Sequence, residues 1–374
     1  MEVGVTFTLW AAVGLALLFD FTNGFHDAAN AIATTVSTRA LSPRVAVAMA
    51  GLLNFAGAFI SIKVATTVAK GIINTPAVTV NVVLAAVAGA IVWNLVTWYW
   101  GLPTSSSHAL IGGLIGGGIG AAGLNAVQWL GVVQKVLIPS VLSVVVGLLL
   151  SAALVTSILW IFRRALPGRM SRGFRRAQVV TAAFVALTHG TNDAQKSMGV
   201  IALALLVTHP ARRFEVPVWV IASAASAMAL GTYAAGWRII RTLGRRVTHL
   251  EPYQGFGAEG ATAAILFTTA QLGYPVSTTH TIGGAVLGAG AARNVNAVRW
   301  GIVRSVGGAW IFTVPAAASV AAVMSLLTRA PVGAAMVAAL VVSFCAFMFA
   351  SRRRRDAPRR PVIVPHAVAQ PEVA

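Results

Sequence analysis

Apolar residues fill this chain in long, nearly unbroken stretches. They neither alternate as in a half-buried strand nor recur on one narrow helical face. Eleven such stretches run near 6–36, 44–62, 78–101, 104–124, 138–162, 178–207, 217–236, 256–273, 276–292, 303–327 and 331–350. A helix that crosses a bilayer needs about 20 predominantly apolar residues. The pattern therefore predicts an all-α polytopic membrane protein with about 11 spans. A basic segment, Arg163–Arg176, divides it into halves of similar size. The expected organisation is a first transmembrane repeat over 1–162 and a basic cytoplasmic linker over 163–177. A second repeat with an extra C-terminal span covers 178–350, and a disordered basic, proline-containing tail covers 351–374.

Composition agrees. Of the 374 residues 57% are hydrophobic and 10% charged, against roughly 25% charged in soluble domains. The net charge of +19 does not point to nucleic acid, because the arginines sit in short clusters between apolar stretches without interleaved aromatics. They instead carry a topological signal. With the linker placed in the cytoplasm, 21 Lys and Arg fall inside and six outside, and Lys196 alone lies within a span. That bias predicts an outside N-terminus and a cytoplasmic C-terminus. The first stretch is not expected to be a signal peptide, since no Lys or Arg precedes Arg39. One cysteine, Cys345, permits neither an internal disulfide nor a thiolate metal cluster.

The halves repeat. Gly24-Phe25-His26-Asp27-Ala28 is answered 166 residues on by Gly190-Thr191-Asn192-Asp193-Ala194. Pro103-Thr104-Ser105-Ser106-Ser107-His108 is answered 172 residues on by Pro275-Val276-Ser277-Thr278-Thr279-His280. With five spans before the linker the second half enters the membrane in the opposite direction, which predicts two inverted-topology repeats, the plan of many secondary transporters. Asp20, Asn23, Asp27 and Asn30 share one helical face, within about 80°. His189, Asn192, Asp193 and Lys196 form a matching stripe. An ionised side chain at mid-bilayer costs at least about 2.5–3.5 kcal/mol, so paired stripes imply a role. The bland alternative is interhelical glue, with Asp193 and Lys196 pairing at i,i+3.

In the Pro-x-Ser elements the proline breaks a span and the hydroxyls then open a glycine-rich half-helix. Its first N–H groups lack intrahelical partners and carry the positive end of the dipole. Hydroxyls beside such a terminus suit an oxyanion that must be released again. Ser105 and Ser277 could equally be plain N-caps, and His108 and His280 packing residues. Glycines 112, 113, 116 and 117 suit close helix packing. Carboxylates beside two anion-holding termini read as an anion–cation symporter, because importing an anion against an inside-negative potential costs about 2.3 kcal/mol per charge per 100 mV. A hydrolase built on Ser105, His108 and Asp27 is disfavoured by the duplication and by the lack of a Gly-x-Ser-x-Gly elbow. No enzyme is expected. A channel would not need carboxylates beside its anion site.

At these motifs the sequence resembles the inorganic phosphate transporter (PiT) family, and most closely its bacterial low-affinity carriers. The resemblance spans nearly the whole chain and rests on Asn23 to Ala31, Trp93-Asn94, Gly101 to His108, His189 to Asp193 and Pro275 to His280. It implies import of inorganic phosphate, free or as a neutral complex with a divalent metal, together with protons or, as elsewhere in the family, sodium. It puts substrate or coupling-ion roles on Asp27, Asn30 and Asp193 and phosphate contacts on Ser105 and Ser277. With the neighbouring hydroxyls and the polar stripes, the expected phosphate contacts are Ser105, Ser106, Ser107, Ser277, Thr278, Thr279 and Asn30, and the expected ion-coupling residues are Asp27, Asp193, Asn23, Asn192 and Glu259. Asn54 matches the bacterial carriers, whereas Glu259 matches the sodium-coupled members, which leaves the driving ion open. A sulfate permease of the same family is the rival substrate reading. No resident cofactor or metal is expected. The expected partners are phosphate, the co-transported cation and the lipid bilayer of the cell membrane, and a homo-oligomer is compatible.

Overall fold

The computed structural model describes residues 2–74, 77–209, 213–234 and 250–356. The helices in chain order are α1 (Glu2–Ser37), α2 (Pro43–Gly57), α3 (Lys63–Lys70), α4 (Val80–Trp100), α5 (Ser106–Ala122), α6 (Trp129–Val132), α7 (Ile138–Ile161), α8 (Pro167–Thr208), α9 (Val218–Ala234), α10 (Pro252–Leu272), α11 (Thr278–Ala291), α12 (Trp300–Leu327) and α13 (Gly333–Asp356). A π-helical segment, Val133–Leu137, joins α6 to α7.

Each of the eleven apolar stretches carries helix, but not every one is a lone spanning helix. Among the described residues, five helical runs combine the length and apolarity needed to cross a bilayer: Gly4–Ser37, Val80–Trp100, Trp129–Ile161, Trp300–Leu327 and Gly333–Arg352. The 44–62 stretch carries only the 15-residue α2, and α3 begins just beyond it at Lys63. The 104–124 and 276–292 stretches are the short helices α5 and α11, 17 and 14 residues long. The basic segment before 177 is mostly helical, since Pro167 starts a helix that runs unbroken for 42 residues to Thr208, with proline at its first turn where no N–H is needed. The tail is helical to Asp356. The disorder expected beyond it, and the arginines at 238–246 counted as cytoplasmic, lie outside the described residues.

Two breaks position the centre. Gly101 (φ 72°) and Gly273 (φ 78°) end α4 and α10 in the left-handed conformation that favours glycine. Pro103 and Pro275 follow, and the chain re-enters helix at Ser106 and Thr278.

Packing repeats between the halves. α5 packs on α12 and α11 on α7, so each half-helix rests on the last helix of the other half. Likewise α1 packs on α9 and α8 on α2. The close approaches recur at the same offset. A Cβ on Gly116 would lie 1.9 Å from the Ala318 carbonyl oxygen, and one on Gly288 2.0 Å from that of Leu148. On the polar helices, a Cβ on Gly24 would meet the Met228 oxygen at 2.3 Å, and one on Gly190 the Asn54 oxygen at 2.1 Å. Such approaches, open only to glycine, hold membrane helices together by van der Waals contact. α13 lies outside this repeat and packs against α4. Its Arg352 donates to the Trp98 carbonyl at 2.6 Å and stacks on the Trp98 ring at 3.8 Å.

Candidate phosphate and cation site

The two half-helices meet nose to nose. Ser105 and Ser277 are their N-caps, and each hydroxyl accepts the backbone N–H three residues on, from His108 at 3.1 Å and His280 at 3.2 Å. The two histidine rings contact edge-on, with centroids 4.6 Å apart. His280 packs on Trp310, which donates to the Pro103 carbonyl at 2.9 Å. His108 contacts Ser140 at 2.9 Å.

Around this meeting point the polar stripes of α1 and α8 repeat one hydrogen-bond pattern. The Ser106 hydroxyl donates to Asp27 at 2.5 Å, and its counterpart Thr278 donates to Asp193 at 3.1 Å. One turn on, the Asn30 amide donates to Thr279 at 2.8 Å, while Lys196, the counterpart of Asn30, donates to Ser107 at 2.5 Å. Thr279 in turn donates to the Thr104 carbonyl at 3.0 Å, and Lys196 to the Val276 carbonyl at 3.1 Å. Lys196 also pairs with Asp193. Every side chain of this set is buried, so the site is closed to solvent in this conformation.

The carboxylates converge. One ligand atom each from Asp27, His189 and Asp193 lies within 4.8 Å of the others. His189 Nε2 is 3.2 Å from Asp193 Oδ2, yet it is misaligned, and both atoms lack a hydrogen-bond partner. Both polar atoms of Asn23 and of Asn192, Oδ1 of Asn30 and Oδ2 of Asp20 are also buried without partners among the described residues. A buried polar atom left unpaired costs about 1–3 kcal/mol. A stripe of them is therefore poised for a polar ligand.

Of the residues expected from sequence, Ser106, Ser107, Thr278, Thr279, Asn30, Asp27 and Asp193 are joined in this way. Ser105 and Ser277 cap the two half-helices, while Asn23 and Asn192 lie on the polar stripes of α1 and α8 with amides unpartnered among the described residues. Glu259 does not join them. Its carboxylate accepts from Thr34 (2.5 Å), Thr35 (2.6 Å), Thr181 (2.8 Å) and Gln178 (3.0 Å). Thr34 lies seven residues beyond Asp27, about 10 Å along the helix. Glu259 thus centres a second polar cluster, over which Thr38 donates to Gln178 at 2.7 Å. Asp20 pairs with Ser197 across α1 and α8. Sequence reasoning missed His26, which contacts Asp27 at 2.8 Å and Thr97 at 3.3 Å. It also missed Thr34, Thr35, Gln178 and Thr181. For Thr34 the signal was present, as its spacing continues the Asp27–Asn30 face.

Residues 23–321 match the family model described as "Phosphate transporter family". The chain belongs to that family. A "probable low-affinity inorganic phosphate transporter" of Mycobacterium tuberculosis (strain ATCC 25618 / H37Rv) is 48% identical over 84% of this chain and 76% of its own. Proteins of the same description in Rhizobium meliloti (strain 1021) and Bacillus subtilis (strain 168) are 47% and 44% identical. They cover 86% and 82% of this chain, and 97% and 93% of their own. A solved structure titled "The sodium-dependent phosphate transporter" superposes with a TM-score of 0.77 at 25% identity, covering 86% of this chain and 99% of that one. Phosphate is the substrate of the family, whose members are transporters and not enzymes. Together with its apolar helices, this makes the chain a multi-pass membrane protein.

Proposed function

We propose that the chain is a secondary active importer of inorganic phosphate, driven by co-transported protons through alternating access between two inverted repeats. The observation that carries this reading is the matched pair of bonds Ser106–Asp27 and Thr278–Asp193. Each couples the positive end of a half-helix to a carboxylate. When phosphate arrives, the hydroxyls of Ser105, Ser106, Ser107, Ser277, Thr278 and Thr279 and the first N–H groups of α5 and α11 offer it donors without a fixed arginine. Turning Ser106 and Thr278 towards phosphate strips a donor from Asp27 and Asp193. Those carboxylates then need a cation, which is how substrate and ion binding become one event. Protonation of an Asp beside its histidine meets that need. A neutral metal–phosphate complex would lighten the same charge burden. The orientation is N-terminus out and C-terminus in, with the basic start of α8 in the cytoplasm.

Sodium is the second reading. It is favoured by the unpaired oxygens of Asn23 and Asn30 beside Asp27 and by likeness to a sodium-dependent transporter. Radiolabelled phosphate uptake into proteoliposomes, under an imposed proton gradient or an imposed sodium gradient, separates the two. Uptake with protons alone supports the proposal, and uptake with sodium alone replaces it. No uptake under either gradient removes the transport assignment. Excess sulfate should leave phosphate uptake intact, and competition by sulfate would move the chain to the sulfate reading.

A further inference from the structure

The repeat is chemically unequal at one position, and the inequality is a whole charge. Asn30 and Lys196 occupy corresponding places on α1 and α8, 166 residues apart. Each reaches across to the corresponding hydroxyl of the opposing half-helix, Thr279 or Ser107. In the second half the Lys196 ammonium sits among three oxygens: the Asp193 carboxylate, the Ser107 hydroxyl and the Val276 carbonyl at 3.1 Å. A carboxylate, a hydroxyl and a main-chain carbonyl form the hard oxygen set that a small monovalent cation takes. In the first half, among the described residues, no Lys or Arg pairs with Asp27, which has only the His26 ring at 2.8 Å, and Asn23 Oδ1 and Asn30 Oδ1 are buried oxygens without partners on the same helical stripe. One half thus carries its positive charge covalently, and the other presents the oxygens without the charge.

We propose that Lys196 is a tethered cation that fills the second of two symmetry-related cation positions. The protein would then bind one mobile cation beside Asp27 and Asn30, and none at Asp193. This deepens the transport reading and rests on it. It makes Lys196 the residue that sets how many ions accompany each phosphate. A buried ion pair is seldom a gain in stability over an apolar alternative, which is consistent with Lys196 being kept for its charge.

Replacing Lys196 with the residue of the other half opens the second position, whose carboxylate, hydroxyl and carbonyl oxygens would take sodium whether protons or sodium drive the wild type. Wild type, Lys196→Asn and Lys196→Arg would be purified in detergent. Unfolding midpoints would be followed over tenfold steps of sodium chloride, with choline chloride holding ionic strength constant. A ligand that binds only the folded state raises stability with the logarithm of its concentration, in proportion to the number of ions bound. The expected result is a K196N slope steeper than wild type by about one ion, with K196R following wild type. K196N should also be recovered folded from sodium buffer in better yield than from choline. In proteoliposomes its sodium-to-phosphate flux ratio should rise by about one. The same sodium dependence in K196N as in wild type would overturn the proposal. So would a K196N protein that cannot be recovered in sodium or in choline while K196R can. The stability arm contains no phosphate, so it fails or succeeds separately from the transport assignment, which the wild-type uptake tests.

Discussion

Asp27 and Asp193 are partners by symmetry but differ in what surrounds them, so neutralising each should give the same functional loss with different structural costs. Asp193 is fully buried and faces the Lys196 ammonium, His189 at 3.2 Å and the Thr278 hydroxyl at 3.1 Å. Asp193→Asn leaves a buried ammonium among neutral oxygens alone, the new amide, the Ser107 hydroxyl and the Val276 carbonyl, with no counter-charge. Removing one member of a buried pair typically costs about 3–5 kcal/mol. Among the described residues, Asp27 has no Lys or Arg within its bonds. Its contacts are the Ser106 hydroxyl and His26, which an amide oxygen can still serve in part. Exchanging a charge-assisted bond for a neutral one costs about 1 kcal/mol, and the burial cost of the charge is relieved. D27N should therefore unfold within a few degrees of wild type, while D193N should unfold well below it, and phosphate uptake should be lost in both. The assay is thermal unfolding in detergent beside uptake in proteoliposomes. Equal destabilisation by the two variants would refute the account of Lys196 as the partner of Asp193. Normal uptake by both would return the stripes to interhelical glue.

The half-helix interfaces should tolerate no added carbon at their tightest points, Gly116 and Gly288. Gly116→Ala and Gly288→Ala place a Cβ about 2 Å from a carbonyl oxygen. Each should cost about 1–3 kcal/mol or more by overpacking, read as a lower unfolding midpoint and a reduced yield of monodisperse protein. Ser105→Ala and Ser277→Ala remove caps worth about 1 kcal/mol each. They should also raise the KM for phosphate uptake, with Ser→Thr substitutions restoring both; an unchanged KM would leave these serines as caps alone.

The stretches, the breaks at Pro103 and Pro275 and the matched motifs were legible because each rests on local physics: length, proline, and spacing along one helix. Pairings between helices were not. Nothing in the spacing of α10 says that Glu259 is ringed by Thr34, Thr35, Thr181 and Gln178 rather than facing the Asp pair. That outcome depends on how far along α1 the two elements cross. The unbroken course of α8 through the basic segment was foreshadowed by Pro167 alone. Lys196 could be flagged from sequence as a departure from Asn30. Its Asp193 partner was legible at i,i+3, but the Ser107 hydroxyl and the Val276 carbonyl appeared only once α5 and the turn before α11 were placed against it.

The exchanged packing constrains how a closed site could open. α5 rests on α12 and α11 on α7 through glycines whose approach leaves no room for sliding, whereas α1, α2, α8 and α9 pack on one another and, through α1 on α4 and α8 on α10, on the helices that lead into the half-helices. Each half-helix should therefore travel with the terminal helix of the other half, and the moving seam should lie between the polar helices and the half-helix units, where the phosphate hydroxyls meet the carboxylates. On one side that seam leads past Glu259 and the Thr38–Gln178 bond to a cavity of about 470 Å³ lined by Arg39, Arg175 and Glu251, a basic mouth suited to an anion. A covalent tie within one unit tests this division. A Cβ built on Gly120 lies 2.9 Å from Cβ of Ser325, slightly inside the 3.5–4.5 Å span of a disulfide. A Gly120→Cys, Ser325→Cys protein with Cys345 replaced should therefore cross-link α5 to α12 with a small local shift. Oxidised and reduced protein should take up phosphate at similar rates. If oxidation stops uptake and reduction restores it, α5 must slide on α12 during transport, and the seam lies elsewhere.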